Sequence, residues 1–370
     1  MIKELTWKFG GFVILAALIA LPFTTNPYAQ YIVNLALVNV VITIGLNILL
    51  GYAGQFAFAH AALMGIGAYT TALLGYWLNL SFWIALPVSG VVAMLIGSLG
   101  AFPAMRIKSV YLALVTLAFA EFTVWVLTHW KTLTLGTDGV SVEPPSLFGH
   151  LVAGDTNVYY VLLAITTVLY LAARLIVTSR LGRAMVAVRE NEIVAQCSGI
   201  DVPRTKALAF AISAFYAGIG GAMFALTLGF IVPDGFGTPQ VVIQFSMVAI
   251  GGFASLFGSI IGAVVLTGLP EMLRDFQALQ EIIYGVMLVV FVLLMPKGIA
   301  GLAKRVGLLP EELLVRAGAL KSLRRNSSAT AKPGSSKPAP SKSAGSKPAT
   351  TKSTTSPSVA SKAAVQGETP

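Results

Sequence analysis

Hydrophobic residues along this chain come in blocks of bilayer length rather than as the single apolar stripe of a soluble helix. No Asp, Glu, Lys or Arg occurs between Lys8 and Arg106, and between Lys206 and Glu271 the one charged side chain is Asp234. About 20 apolar residues in a helix cross the hydrocarbon core, so each block predicts several crossings. Hydropathy with Gly/Pro punctuation places spans near residues 9–24, 31–50, 57–78, 82–104, 109–130, 157–178, 207–231 and 278–296. A further apolar stretch, 239–270, is interrupted by Gly251-Gly252.

Basic residues in short loops set the orientation. Lys3 and Lys8, then Arg106 and Lys108, then Arg180, Arg183, Arg189, Arg204 and Lys206 mark cytoplasmic sides. The loop 131–156 carries Lys131 against Asp138, Glu143 and Asp155, and is expected outside. If 239–270 crossed once, Lys297, Lys304, Arg305 and the basic tail would end up outside. Splitting it at Gly251-Gly252 into two short segments returns them to the cytoplasm, and broken helices are tolerated where they line a cavity or are buried in protein. The pattern thus predicts an all-α polytopic membrane protein of about 8–10 transmembrane segments, with broken or re-entrant helices and both termini cytoplasmic. Lys3 and Lys8 ahead of an apolar run look signal-like; because more spans follow, a retained first helix is expected.

Composition sharpens this. Only 11% of the residues are charged and 56% are apolar, where a soluble domain carries about a quarter charged; a soluble enzyme is excluded. The net charge of +10 would suggest nucleic acid if it were spread over the chain. Residues 321–370, however, hold nine Lys or Arg and one acid, Glu368, so the first 320 residues carry only +2. No nucleic-acid partner is expected. Residues 1–305 read as the membrane domain with a cytoplasmic loop at 179–206, and 306–325 as a juxtamembrane segment. The Ser/Thr/Ala/Lys/Pro-rich stretch 326–370 reads as a disordered tail, too poor in large apolar side chains to offset its ordering entropy. The single cysteine, Cys197, excludes an internal disulfide, and no Cys/His cluster has metal-site spacing.

Chemistry-bearing motifs are scarce. There is no GxxxxGK[ST], no GxSxG and no HExxH, so no nucleotide-hydrolysing site or catalytic residue is expected in this chain. Three segments remain. In the first, Gly51 and Gly54 fall where one apolar run stops and the next begins, predicting a helix break at which Gln55 and His60 supply polar groups. These either line a pathway or satisfy backbone groups freed by the break. In the second, Glu121 lies midway through a span, where an acid disfavours insertion by about 3 kcal/mol. It is expected to face the protein interior or a water-filled path, or to be protonated, with a buried tie to hydroxyls or backbone amides as the structural alternative to a pathway or proton site.

The third is the loop. Leu181, Met185 and Val188 recur at i, i+4, i+7, as one helical face requires. Asn191 can cap a second short helix on which Ile193 and Cys197 share a face, with Gly199 as its C′ glycine and Pro203 preventing continuation. A short helix with an apolar stripe and charged flanks suits docking into a groove on another protein; the alternative is an interfacial helix lying on lipid with Arg180, Arg183 and Arg189 at the headgroups, against which Glu190 and Glu192 argue. Arg183, Arg189, Glu190 and Glu192 are expected to orient that docking.

At these residues the chain resembles a known family. The run GYAGQ at Gly51–Gln55 leading to His60, YLALVTLAFAE ending at Glu121, LGTDG ending at Gly139 and GRAMVAVRENEIVAQCSGI ending at Ile200 are similar to the LivM-type permease of branched-chain amino acid ABC transporters. Later blocks from Lys206 and Gly251, with Pro296-Lys297-Gly298, extend the resemblance over residues ~30 to ~305 in order. It implies a second, LivH-like permease subunit, two cytoplasmic ATPases that hold ATP and magnesium, and an extracytoplasmic substrate-binding protein, all serving an importer of the bacterial inner membrane. It implies too that the 183–199 loop is the coupling helix, that this chain needs no cofactor of its own, and that its substrate is a branched-chain or other amino acid, urea or an amide. The chain departs from the family at Phe56, Ala57, Phe58 and Ala59, where Leu-Ser-Leu-Gly is common, and at Leu135, where a glycine is common. Two rival readings are a proton-coupled transporter using Glu121 and His60, and a membrane scaffold acting through its basic tail.

Overall fold

The structure is a computed structural model and describes residues 21–23, 26–104, 109–142, 146–147, 150–151, 154–272 and 286. Apart from residues 21–23 and 286, the expected spans 9–24 and 278–296 lie outside the described residues, as do the marks Arg106 and Lys108 and the segments 306–325 and 326–370.

Among the described residues six helical stretches are long and apolar enough to cross a membrane: Pro27–Tyr52, His60–Leu78, Phe82–Gly100, Tyr111–His129, Asp155–Thr178 and Val202–Leu228. The chain is therefore an all-α, multi-pass membrane protein. The helices in order are α1 (Pro27–Asn47, continued by a π-helical turn Ile48–Tyr52), α2 (His60–Leu78), α3 (Phe82–Ala104), α4 (Ser109–His129) and α5 (Asp155–Thr178). After these come α6 (Arg180–Glu190), α7 (Glu192–Cys197), α8 (Val202–Leu228), α9 (Thr238–Gly251) and α10 (Leu256–Met272). The stretch 239–270 is thus two short helices separated at Gly252, as the Gly-Gly pair predicts.

The expected span 207–231 begins earlier, at Val202, because Asp201 caps it by accepting from the Arg204 amide at 3.1 Å. Pro203 therefore opens this helix, where its missing N–H is harmless, in addition to barring continuation of the one before it.

Burial is inverted relative to a soluble bundle. Outward positions are apolar, with Leu95, Leu99, Leu114, Phe122 and Leu175 exposed, whereas Asn34, Asn39, Asn47, Ser213 and Gln244 are buried. With hydrocarbon as the solvent, polar groups must find partners inside, and close packing replaces hydrophobic segregation. α8 is the central helix and packs on α1, α2 and α3. Its approach to α2 depends on small residues: a Cβ on Gly67 would sit 2.2 Å from the Gly218 carbonyl oxygen.

Outside the helical core, Val140–Ser141 pairs antiparallel with Phe230–Ile231. It follows a turn in which Leu135 adopts φ 60°, a left-handed conformation that glycine reaches with less strain.

Candidate functional site: a loop seated on a helix break

The loop begins where Ser179 ends α5 and caps α6, its hydroxyl accepting from the amides of Leu181 and Gly182. Met185 and Val188 are buried and Leu181 is half-buried, so the expected i, i+4, i+7 face is the one turned inward. Asn191 then caps α7, accepting from Ile193 N at 3.0 Å and Val194 N at 3.1 Å. Gly199 ends it at φ 80°, with its amide bonded to Gln196 O and the Ile200 amide to Ala195 O. This paired closure, a Schellman motif, needs the left-handed residue that glycine supplies without strain.

What the loop presents outward is α7. Ala195 is buried against Val188 and Val202, while Ile193 and Val194 are 73% and 60% exposed and Cys197 is exposed too. Two adjacent β-branched side chains in water at the tip of a capped, rigid loop form an apolar knob. A cavity of about 350 Å³ lies beside it, walled by Gly54, Gln55, Arg189, Glu190, Glu192 and Lys206 among others.

The charged residues expected to orient docking are partly engaged within the chain. Arg189 donates to the backbone carbonyl of Gly51, at the end of the π-helical turn. Glu192 pairs with Lys206 at 2.6 Å, where the lysine side chain is only 11% exposed. Arg183 donates to Thr178 O at 3.1 Å, and Glu190 is exposed. Gln55 donates to the Lys206 carbonyl at 3.1 Å, while its own carbonyl oxygen is buried without a partner. The structure therefore brings Gln55, Arg189, Glu190, Glu192 and Ile193 to one place, where loop and helix break touch. Gly54 makes this contact possible: it sits at φ 69°, and a Cβ there would lie 2.8 Å from Arg189 Cγ.

The other singled-out residues lie elsewhere. His60 is buried, with Nε2 3.0 Å from Ile42 O and Nδ1 3.2 Å from the Ser213 hydroxyl. Ile42 lies ten residues before Tyr52, so α2 begins about 15 Å back along α1 from its end, at 1.5 Å per residue. The segment between is re-entrant. Glu121 is exposed rather than turned into the bundle, and its carboxylate accepts from the Thr238 hydroxyl at the start of α9. A tie to a hydroxyl is present, but at an exposed position on the side of α4 that meets the start of α9, and not buried as that reading expected. Among the described residues Glu121 and His60 have no common hydrogen-bond partner.

Gly251 and Gly252 are buried at the second break, where Gly252 has φ 110° and a Cβ on Gly251 would meet Gly258 O at 2.2 Å. That break is held by Asn47, which sequence reasoning missed. Its Nδ2 donates to Ser255 O at 2.9 Å and Ser259 Oγ at 2.7 Å, and its Oδ1 accepts from Ala254 N at 2.9 Å. The available signal was an amide side chain within an apolar run, four residues before Gly51. Among the described residues no group of three or more His, Cys, Asp or Glu gathers as a metal ion requires.

The family model described as branched-chain amino acid transport system / permease component matches residues 28–294. The high-affinity branched-chain amino acid transport system permease protein LivM of Salmonella typhimurium is 32% identical over 310 residues, covering 77% of this chain and 73% of the relative. LivM of Escherichia coli is 31% identical over the same length and coverage. LivH, the permease protein of the same description from Salmonella typhimurium, is 28% identical over 295 residues, covering 73% of this chain and 93% of the relative. No solved structure matches the chain.

Proposed function

Because the chain belongs to the branched-chain amino acid transport permease family, we propose that it is one permease subunit of an ABC importer for a branched-chain or closely related amino acid. In this reading it pairs with a LivH-like permease in the bacterial inner membrane. Two cytoplasmic ATPases bind the nucleotide and magnesium, and an external binding protein delivers the substrate. In this reading the basic residues Arg180, Arg183, Arg189, Arg204 and Lys206 keep the α6–α7 loop on the cytoplasmic side, and both termini share that side.

The observation that carries the proposal is the loop's two-faced construction. Its inner face is buried on α8 and the helix break, and its outer face leaves Ile193 and Val194 in water. Burying such a pair in a groove contributes about 1.5–3 kcal/mol for each side chain fully covered. Glu190 at the rim and Cys197 one turn on would flank that contact. Closure of the ATPases on nucleotide would then displace the knob, and the loop would pass that displacement to Gly51 through Arg189, driving alternation between outward and inward access.

The test is capture of the tagged full chain from its native membrane. Recovery of a P-loop ATPase and a second permease is expected. Ile193→Asp with Val194→Asp should lower ATPase recovery about tenfold, as loss of an apolar hot spot would, and leave the second permease in place. A chain recovered alone, or ATPase recovery indifferent to the double substitution, would refute the proposal.

A further inference from the structure

We propose that Asn47 is a positioning residue that ties the two helix breaks into one body, so that the loop held at Gly51 moves the α9–α10 pair with it. The inference rests on the importer reading above and adds the path by which loop motion reaches the membrane core.

Asn47 is the last residue of α1 and is fully buried. Its side chain reaches Ser255 O, Ser259 Oγ and Ala254 N, with Gly252 O a further 3.4 Å from Nδ2. An amide side chain offers two donor hydrogens and one acceptor oxygen, so one residue serves both sides of the four-residue gap between α9 and α10. Gly51 lies one turn further along. A Cβ there would fall 1.8 Å from Asn47 Oδ1 and 2.5 Å from Ala254 N, so its backbone is pressed directly against the tie. The carbonyl of that same Gly51 receives Arg189 from the loop. Tyr52, the next residue, lies against the Leu256 backbone at the start of α10.

From loop to hairpin the sequence of contacts is Arg189, Gly51, Asn47 and then residues 252–259, and no flexible side chain intervenes after the first. Helix breaks are where backbone angles can change at little cost and where hinges commonly sit. Clamping the gap to the end of α1 removes that freedom locally. Motion of the loop is then transmitted instead of being absorbed at Gly252.

The decisive variant is Asn47→Asp, which keeps the acceptor for Ala254 N and loses at least one of the two donors, since a carboxyl group has one O–H when neutral and none when ionised. It is made in the complex captured with its ATPases and reconstituted in phosphatidylethanolamine–phosphatidylglycerol vesicles. Two quantities are read: ATP hydrolysis, and the separation of spin labels at Arg180→Cys on α6 and Val264→Cys on α10 in a Cys197→Ser background. In the parent complex the label separation should stay fixed when nucleotide is trapped with vanadate. In Asn47→Asp it should change on trapping, with hydrolysis retained and uptake of labelled leucine, isoleucine or valine per ATP lowered about tenfold.

If Asn47→Asp fails to assemble, Ser259→Ala removes one bond of the tie, and a threefold lowering of uptake per ATP, about what a weaker coupling term gives, is then expected. A label separation in the parent complex that changes on trapping would overturn the inference. So would uptake and hydrolysis that fall in equal proportion, or uptake per ATP unchanged in the variant that assembles. Absence of an ATPase from the captured complex is a different result and refutes the importer reading itself.

Discussion

At the first helix break the backbone groups released from α1 are taken up partly by nearby amides and partly by side chains that arrive from the loop: Ala53 N bonds to Ile48 O, Gln55 N to Leu49 O, and Gly51 O to Arg189. The second break, between α9 and α10, is held from inside the bundle by one buried side chain, with Ser255 Oγ accepting from Gly258 N at 3.0 Å to start α10. The first borders a cavity and keeps an unpartnered Gln55 oxygen, whereas Asn47 has both its nitrogen and its oxygen bonded. One break is open to exchange of partners on the loop side; the other is closed. A transporter that couples an external motion to its core requires this difference, since a break that yields at both places would dissipate the motion.

The contrast can be broken most severely at its rigid end. Asn47→Ala leaves the Ala254 amide without a partner in a dry interior and takes one of the hydrogen bonds from the Ser255 carbonyl, and should destabilise the protein by about 3 kcal/mol. The check is the midpoint of thermal unfolding in detergent. Gly51→Ala comes next, at about 2–3 kcal/mol by the same assay, because its Cβ must displace the Asn47 amide and the Ala254 backbone in a filled core. Gly54→Ala should be weaker, about 1–2 kcal/mol from the left-handed backbone alone, and should also push Arg189 off Gly51. Its mark is increased proteolysis of the loop between Ser179 and Lys206 in inside-out vesicles. Gln55→Leu sharpens the comparison from the soft end. With one oxygen already unpartnered, losing the amide should change stability by less than about 1 kcal/mol. A large fall in uptake with an unchanged unfolding midpoint would place Gln55 in the transport path and not merely at a structural joint.

Much of this architecture is legible in the sequence. The block 109–130 became Ser109–His129 and the block 57–78 became His60–Leu78, because a long apolar segment has no alternative to a helix in lipid. Gly251-Gly252 marked the second break through backbone permissiveness, and Asn191 and Gly199 marked the ends of α7 through their local capping geometry. The start of α8 was placed late because Pro203 reads as a stop for the preceding helix as readily as a start for the next. For Glu121 the interior, a water-filled path and a protonated state were all open, since a mid-span acid costs too much in lipid; its sequence position says nothing of which way α4 turns.

What the sequence by itself determined is membership of the membrane, the length of each segment, and the places where helices can break, all properties of a window of twenty residues or fewer set by bilayer thickness and backbone sterics. Only the tertiary structure decided which polar groups meet. Asn47 and Ser259 are 212 positions apart, Arg189 and Gly51 138, and Glu121 and Thr238 117. In an apolar medium every buried polar group must be partnered, but many partners are chemically equivalent. The choice among them is made by helix packing, where Gly67 against Gly218 lets α2 and α8 approach and thereby fixes which faces look at one another.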